Sequence, residues 1–346
     1  MNHLSERSLF RKMAIKLKTP GSLTVVITIA VAVLASLYSG SYIFINTLVM
    51  GAMLAIMAMG LALIFSVMSV PNFAHGEFFM VGTLVSYYVF KPFIKITQQT
   101  GNPVLISLSP LITFFTATAV GVILGMFLEI ALFRPLRRRS REQWVMNSFL
   151  LTLGVSVMLV NGHLLIFGTD FKGIINYWPY ETIKILEVQT SFDRIVVLIL
   201  SLCVILIFWA FMKSSKLGRS IRAVSQDETG AIMVGINVDA IQTITLALCC
   251  GLAALSGAFL LFMYPSHPSV GMAPLYNSWF IVILMGMGNV GGAAIGGFVV
   301  ALFQVLTTVY IGEGWGLIIP AIAIAAILVI KPVGILGSPI RGILDK

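Results

Sequence analysis

His75 and Glu77 are the ionisable residues whose setting most invites chemistry. They stand in Pro71-Asn72-Phe73-Ala74-His75-Gly76-Glu77-Phe78, where one long apolar run ends and the next begins. Ionisable groups beside or within a membrane mark functional sites by default. Pro71 stops the run before it, and Asn72 can cap the next helix by accepting a hydrogen bond from an exposed N–H. Two uses of Asn72, His75, Gly76 and Glu77 stay open. One is capping and lining a turn close to the cytoplasmic interface, in the service of structure or gating. The other is direct contact with a transported solute or ion. An acid–base dyad is excluded, because side chains at i and i+2 of a helix point apart. His-x-Glu also begins the zinc-deaminase signature, but the companion Pro-Cys-x-x-Cys is missing.

The loop 213–239 is the second informative stretch. Residues 219–234 read as one short helix, with Gly235 just past its end. Ile221, Val224, Ile232 and Met233 can form an apolar edge, with Asp227 and Glu228 exposed near the middle. Asp239 followed by Gln242 reads as the cap of the next helix. This connector is either an amphipathic interfacial segment or a docking helix for a cytoplasmic partner.

A third stretch, Gly286–Gly297 (GMGNVGGAAIGG), carries Gly286, Gly288, Gly292 and Gly296. Gly292 and Gly296 have the GxxxG spacing that lets membrane helices approach closely. A nucleotide-binding glycine loop is excluded, since no Lys-Ser/Thr follows and no soluble strand precedes. A broken, tightly packed helix hairpin is expected, and such interruptions border transport paths.

Other polar groups read more plainly. Glu129, about one turn before Arg134, is expected to form an interfacial ion pair. Asn161 and His163 read as polar packing contacts of the outer half of a span. The outer segment 168–193 offers Tyr177 and Trp178 for an interfacial belt. Cys203, Cys249 and Cys250 lie in apolar stretches and read as small buried hydrophobes rather than metal ligands or disulfide partners. No GxxxxGK[ST], HExxH or GxSxG occurs, so P-loop ATP binding is excluded and intramembrane protease and lipase readings are weakened. Few charges lie deep in any apolar run, which argues against a proton relay and for a passive or externally driven conduit.

The elements that must position these residues follow from composition. Of 346 residues, 58% are hydrophobic and 10% charged, and mean hydropathy is +1.00. Soluble domains carry roughly 25% charged residues, so this chain cannot clothe a globular surface in water. An all-α polytopic membrane protein is expected, with ten spans over 21–39, 42–68, 72–90, 104–133, 145–167, 194–212, 240–264, 275–290, 293–311 and 316–330. Some of these are short or broken, so the count runs from eight to ten. One transmembrane domain, 21–331, follows a basic segment 1–20 and precedes a tail 332–346. The first helix is read as retained, with no small-x-small cleavage site after it.

The net charge of +9 is an orientation signal. Seventeen of the 22 basic residues fall in the N-terminal segment, the loop after the fourth span, the loop 213–239 and the C-terminal tail. With ten spans all four lie on one side, which the positive-inside rule places in the cytoplasm together with both termini. The charge is therefore not a nucleic-acid surface.

Gly60–Gly82 (GLALIFSVMSVPNFAHGEFFMVG), Arg222–Val238 (RAVSQDETGAIMVGINV) and Lys331–Gly337 (KPVGILG) together resemble the branched-chain amino acid ABC transporter permeases, in order and spacing. The resemblance runs from about Leu48 to Gly337. It implies an inner-membrane permease subunit working with a second, similar permease, two ATPase subunits and an extracytoplasmic binding protein. Arg219, Arg222, Asp227, Glu228 and Gly235 would then belong to the coupling helix that touches the ATPase, and Asn72, His75, Gly76 and Glu77 to the path or its gate. No cofactor is implied. Related permeases import urea or short amides, and a proton-coupled secondary carrier using His75 and Glu77 is the competing class.

Overall fold

A computed structural model describes residues 20–39, 41–139, 143–185 and 188–337. The basic segment 1–19, residues 140–142 of the loop after the fourth span, 186–187 of the outer segment and the tail beyond 337 lie outside them. The described chain is helical apart from one small hairpin. Its helices are α1 (Pro20–Ser39), α2 (Tyr42–Met68), α3 (His75–Thr100), α4 (Pro103–Leu128), α5 (Arg134–Arg139), α6 (Trp144–Phe167), α7 (Phe192–Ser214), α8 (Lys216–Gln226), α9 (Glu228–Met233), α10 (Val238–Leu260), α11 (Met272–Met285), α12 (Val290–Tyr310) and α13 (Ile318–Ile330). The antiparallel pair β1 (Ile183–Ile185) and β2 (Val188–Thr190) lies in the outer segment.

Eight of these described helices are long and apolar enough to cross a membrane, and two apolar stretches, Leu23–Ala35 and Met272–Met285, are shorter. Eight spans with two shorter apolar helices fall within the expected count of eight to ten. At ~1.5 Å per residue, α11 covers only about 21 Å, short of the ~30 Å hydrocarbon core. The span expected over 72–90 begins later and runs on to Thr100, past Pro92.

Burial separates centre from rim. The apolar stretches of α2 and α10 are 83% and 89% buried, against 17% in α6 and α7. Leu, Ile and Met are as comfortable in lipid as against each other, so close packing and small residues decide which helices meet. Here α10 lies against α4 through Gly121 and Gly125, where an added Cβ would come 2.6 Å from Ala254 Cβ and 2.9 Å from Cys250 Cβ. In α12, Gly297 faces the Ala55 backbone of α2 at 2.5 Å by the same measure. Gly292 and Gly296, read as a packing motif, sit against Met285 and Ile281 of α11, the other arm of the hairpin. Gly286 and Gly288 instead form its turn, with φ of +100° and +81°, and Asn289 caps α12 by accepting from Gly292 N–H at 2.8 Å.

Contacts sort the helix ends. Trp144 Nε1 donates to the Met68 carbonyl, Arg137 and Arg138 reach Asp239, and Ile335 N–H bonds the Leu284 carbonyl. A Cβ on Gly21 would lie 3.8 Å from Leu336. The start of α1, the arginine-rich α5 and the segment after α13 therefore share one end of the bundle. At the opposite end Asp193 Oδ1 accepts from Tyr177 N–H (3.2 Å) and Trp178 N–H (3.0 Å), and Lys172 bridges Ser266. Tyr177 is buried and donates its hydroxyl to the Ala258 carbonyl, and burial pushes its pKa upward. Charge-assisted bonds contribute ~1.5–3 kcal/mol each. Asp193→Ala should free this outer segment, seen as at least tenfold faster protease nicking within 168–191 with the helices intact.

Candidate functional site

The stretch 69–77 is non-helical up to Ala74, and its location corrects the expectation of a turn near the interface. Ser69 leaves α2 with φ +54°, and the Asn72 side chain accepts from Ala74 N–H at 3.0 Å, closing a turn just before α3. His75, fully buried, donates from Nε2 to the Met57 carbonyl at 3.0 Å. Met57 stands near the middle of α2, not at its end. A Cβ on neighbouring Gly60 would lie 3.1 Å from the carbonyl of Cys249, midway along α10, and 3.2 Å from the His75 ring. Glu77, 4% exposed, accepts a 2.7 Å bond from the Ser156 hydroxyl, midway along α6. Three independent partners therefore put the start of α3 at mid-depth in the bundle. His75 and Glu77 do point apart, one to α2 and the other to α6.

A second helix begins at the same depth. Gly271, which precedes α11, meets Gly76 backbone to backbone: a Cβ on Gly76 would come 2.6 Å from the Gly271 carbonyl oxygen, and a Cβ on Gly271 would overlap the Gly76 carbonyl. Two helices, the long α3 and the short α11, thus start beside each other at mid-depth. Irregular backbone survives at that depth only where protein or a water-filled cavity surrounds it. The N-termini of such broken helices are where membrane transporters gather ligands. Nothing in the composition around Gly271 signalled this partner, because the close approach exists only in three dimensions.

Polar atoms around the break are incompletely satisfied. Glu77 Oε2, His75 Nδ1 and Trp279 Nε1 are buried without hydrogen-bond partners. Phe73 packs against Phe149 of α6 and Trp279 of α11, with ring centroids 5.3 and 5.2 Å apart. Thr152 of α6 accepts from Phe73 N–H at 3.3 Å. Thr152 and Ser156 were not singled out in the sequence. Their one signal is a shared helical face, which the sixteen apolar residues of the same helix obscure.

The connector at the basic end differs from the single helix expected over 219–234. It is two helices, α8 and α9, broken at Asp227 (φ −155°, ψ 105°). Arg219 and Arg222 lie on α8, Asp227 stands at the break, and Glu228 opens α9. Gly235 has φ +83°; its N–H bonds the Ile232 carbonyl, and Ile236 N–H bonds the Ala231 carbonyl. That paired pattern closes the helix and needs a left-handed residue, which glycine adopts freely. Ile232, Met233 and Val234 are 57%, 81% and 76% exposed, an apolar tip at the end of the bundle.

Contrary to expectation, Asp239 does not cap α10. Asn237 does, accepting from Ala240 N–H at 3.0 Å. Asp239 is instead held by Arg137 (3.1 Å) and Arg138 (2.9 Å). Glu129 also pairs with Arg137, at 2.8 Å, rather than with Arg134. The reason is a π-turn over Glu129–Phe133, which adds a residue to the turn and rotates the arginines behind it. Arg134 reaches Thr243 Oγ1 at 2.8 Å. His163, expected as a polar packing contact, is buried with neither ring nitrogen partnered, while Asn161 bonds the Val157 carbonyl of its own helix. Cys249 and Cys250 are buried as expected, whereas Cys203 is exposed.

Comparison with known proteins gives these features a family. Residues 43–330 match the family described as "Branched-chain amino acid transport system / permease component". The high-affinity branched-chain amino acid transport system permease protein LivH of Escherichia coli is 25% identical over 302 residues, covering 85% of this chain and 94% of its own. BraD of Pseudomonas aeruginosa, a permease protein of the same description, is 25% identical over 300 residues, covering 85% and 95%. A probable branched-chain amino acid transport permease protein of Methanocaldococcus jannaschii is 24% identical over 311 residues, covering 86% and 91%. No solved structure matches. A match over most of the chain, to a polytopic helical bundle interrupted at its midplane, makes this protein a member of the branched-chain amino acid transport system permease component family.

Proposed function

We propose that this chain is the permease subunit of a binding-protein-dependent ABC importer, forming the path for branched-chain or related amino acids across the inner membrane. ATP is hydrolysed by two separate subunits, a second permease completes the path, and an extracytoplasmic binding protein delivers the cargo. The observation that carries this reading is the mid-depth start of α3, with an unpartnered carboxylate oxygen on Glu77. Asn72, His75, Gly76 and Glu77 line the path or its gate. The chain has no catalytic residues and no cofactor in this role.

The arginine-bearing end of the bundle faces the cytoplasm in this reading, by the positive-inside rule. Both termini then lie there, with 1–20 along anionic lipid, 21–331 as the membrane domain and 332–346 as a tail. The exposed tip of α9 seats in an ATPase subunit. Motion of α9 passes to α10 through the Gly235 turn, and α10 passes beside Gly60 and His75 at mid-depth. ATP-driven closure of the ATPase pair thereby biases the bundle between outward- and inward-facing states.

The test is reconstitution with the ATPases and binding protein in proteoliposomes. Asp227→Arg and Gly235→Leu are each expected to cut leucine uptake at least tenfold while ATP hydrolysis and membrane insertion persist. Leucine at position 235 would have to adopt the left-handed region at ~1–2 kcal/mol. Unchanged uptake would remove α8–α9 from the coupling role. Uptake driven by a proton gradient without any ATPase would overturn the importer reading altogether.

A further inference from the structure

We propose that the Glu77 carboxylate receives the ammonium group of the cargo, in a seam that opens between α6 and the stretch 69–77, and that Thr152, Ser156 and His163 of α6 form the opposite wall. This rests on the permease reading above and supplies its ligand chemistry.

The first observation is what α6 buries. It is among the least buried spans, yet its fully buried residues are Ser148, Thr152, Val155 and His163. Ser and Thr hold membrane helices together when they bond across the seam, as Thr152 and Ser156 do, but Ser148 Oγ and both His163 nitrogens are buried with no such partner. Residues 148, 152, 156 and 163 fall within an arc of roughly 80° at ~100° per residue, and they climb about 22 Å along the helix axis. The stripe therefore runs through most of the hydrocarbon thickness, and Thr152 and Ser156 within it meet Phe73 and Glu77 at the break.

The second observation is independent of the stripe. His163 is 3% exposed and Glu77 4% exposed, and both His163 nitrogens and Glu77 Oε2 lack partners. Among the described residues the ion pairs are confined to Glu129 and Asp239 with Arg137 and Arg138, so no basic side chain neutralises Glu77. A midplane carboxylate with one oxygen held by Ser156 and the other free is complementary to an ammonium. His163, two turns outward of Ser156, is a polar group on the approach.

The third observation is how α6 is held. Its contacts with 68–77 include the Trp144–Met68, Thr152–Pro71, Thr152–Phe73 and Ser156–Glu77 hydrogen bonds and the Phe73–Phe149 ring pair. Behind it an apolar groove of about 540 Å³ separates it from Leu132 and Leu136. A helix latched by a few polar bonds, with an open apolar groove behind it, can part from its neighbour and reseal without breaking a packed core. Parting frees Glu77 and moves Phe149 off Phe73, which opens the way below.

The experiment uses the whole importer in proteoliposomes, with Cys203, Cys249 and Cys250 replaced and single cysteines introduced as Thr152→Cys, Ser156→Cys, His163→Cys or, on the lipid face, Val157→Cys. Val157 is 61% exposed. During ATP turnover a cationic methanethiosulfonate should modify Ser156→Cys at least tenfold faster than an anionic one of equal size. Excess leucine should slow the reaction, and Glu77→Gln should abolish the charge preference and cut uptake at least tenfold. Val157→Cys should stay unreactive. In an importer that still transports, seam cysteines no more reactive than Val157→Cys, or a charge preference that survives Glu77→Gln, would overturn the proposal and leave the permease reading intact. Failure of the unmodified complex to import any branched-chain amino acid with ATP would instead overturn the permease reading.

Discussion

Gly271→Val is expected to abolish uptake and to lower the melting temperature of the purified protein in detergent by several degrees. Gly271 and Gly76 meet through their backbones, and a Cβ on Gly271 would occupy the space of the Gly76 carbonyl. Relief by movement is blocked on both sides. α3 is pinned by His75 to the Met57 carbonyl, and the Gly271 carbonyl is committed to Leu275 N–H at 3.0 Å, the first bond of α11. Overpacking a filled site costs ~1–3 kcal/mol even where a flexible side chain can yield, and here backbone meets backbone. Gly154 of α6 gives the control, since a Cβ there meets nothing within 4 Å. Gly154→Ala should hold or slightly raise the melting temperature, because alanine is the better helix former by up to about 1 kcal/mol. Equal thermal curves and uptake for Gly271→Val and wild type would show that the starts of α3 and α11 do not need to touch.

Removing Arg137 should be the most damaging change at the opposite level of the bundle. Its guanidinium bonds Glu129, which is 0% exposed, and Asp239 on α10, while lying 5.4 Å over the Trp144 ring of α6. One side chain thus ties the end of α4, the start of α6 and the start of α10. Arg137→Ala strands a buried carboxylate, for which ~3–5 kcal/mol is the expected loss. Lysine should rescue it only in part: both acceptors are met by one nitrogen, Nη2, but an ammonium loses the planar cation's place over the Trp144 ring. The combined Glu129→Gln, Arg137→Met protein removes both charges and should recover most of the lost stability. Chemical denaturation of the four proteins in the same detergent checks the ordering. A single Arg137→Ala loss no larger than that of the double variant would mean the pair is not the source of the cost.

The site was partly legible in sequence. Asn72, His75 and Glu77 stood out because polar residues in an apolar run need a reason, and Gly235 because a helix needs an ending. Asp239 misled, since an acidic residue at a helix start fits both a cap and an ion pair, and only the approach of α5 distinguishes them. Glu129 misled for a related reason: a single extra residue in the π-turn exchanges Arg134 for Arg137 as its partner. Thr152, Ser156 and His163 carry ordinary residue types, and their role becomes visible only when α6 is seen to bury so little else.

Length and polarity of apolar runs, the sites of arginine and lysine, and the Pro71 and Gly235 interruptions were all determined by the sequence alone. The physical reason is that lipid imposes one requirement on every span: backbone groups must be satisfied within the helix, so hydropathy maps directly onto structure. Depth was decided only by the tertiary structure. Lipid does not distinguish a break at the interface from one carried inward, because in both the chain leaves a helix at Met68 and resumes at His75. The His75–Met57, Glu77–Ser156 and Gly76–Gly271 contacts join residues far apart in sequence, and those contacts raise the break to the middle of the bundle.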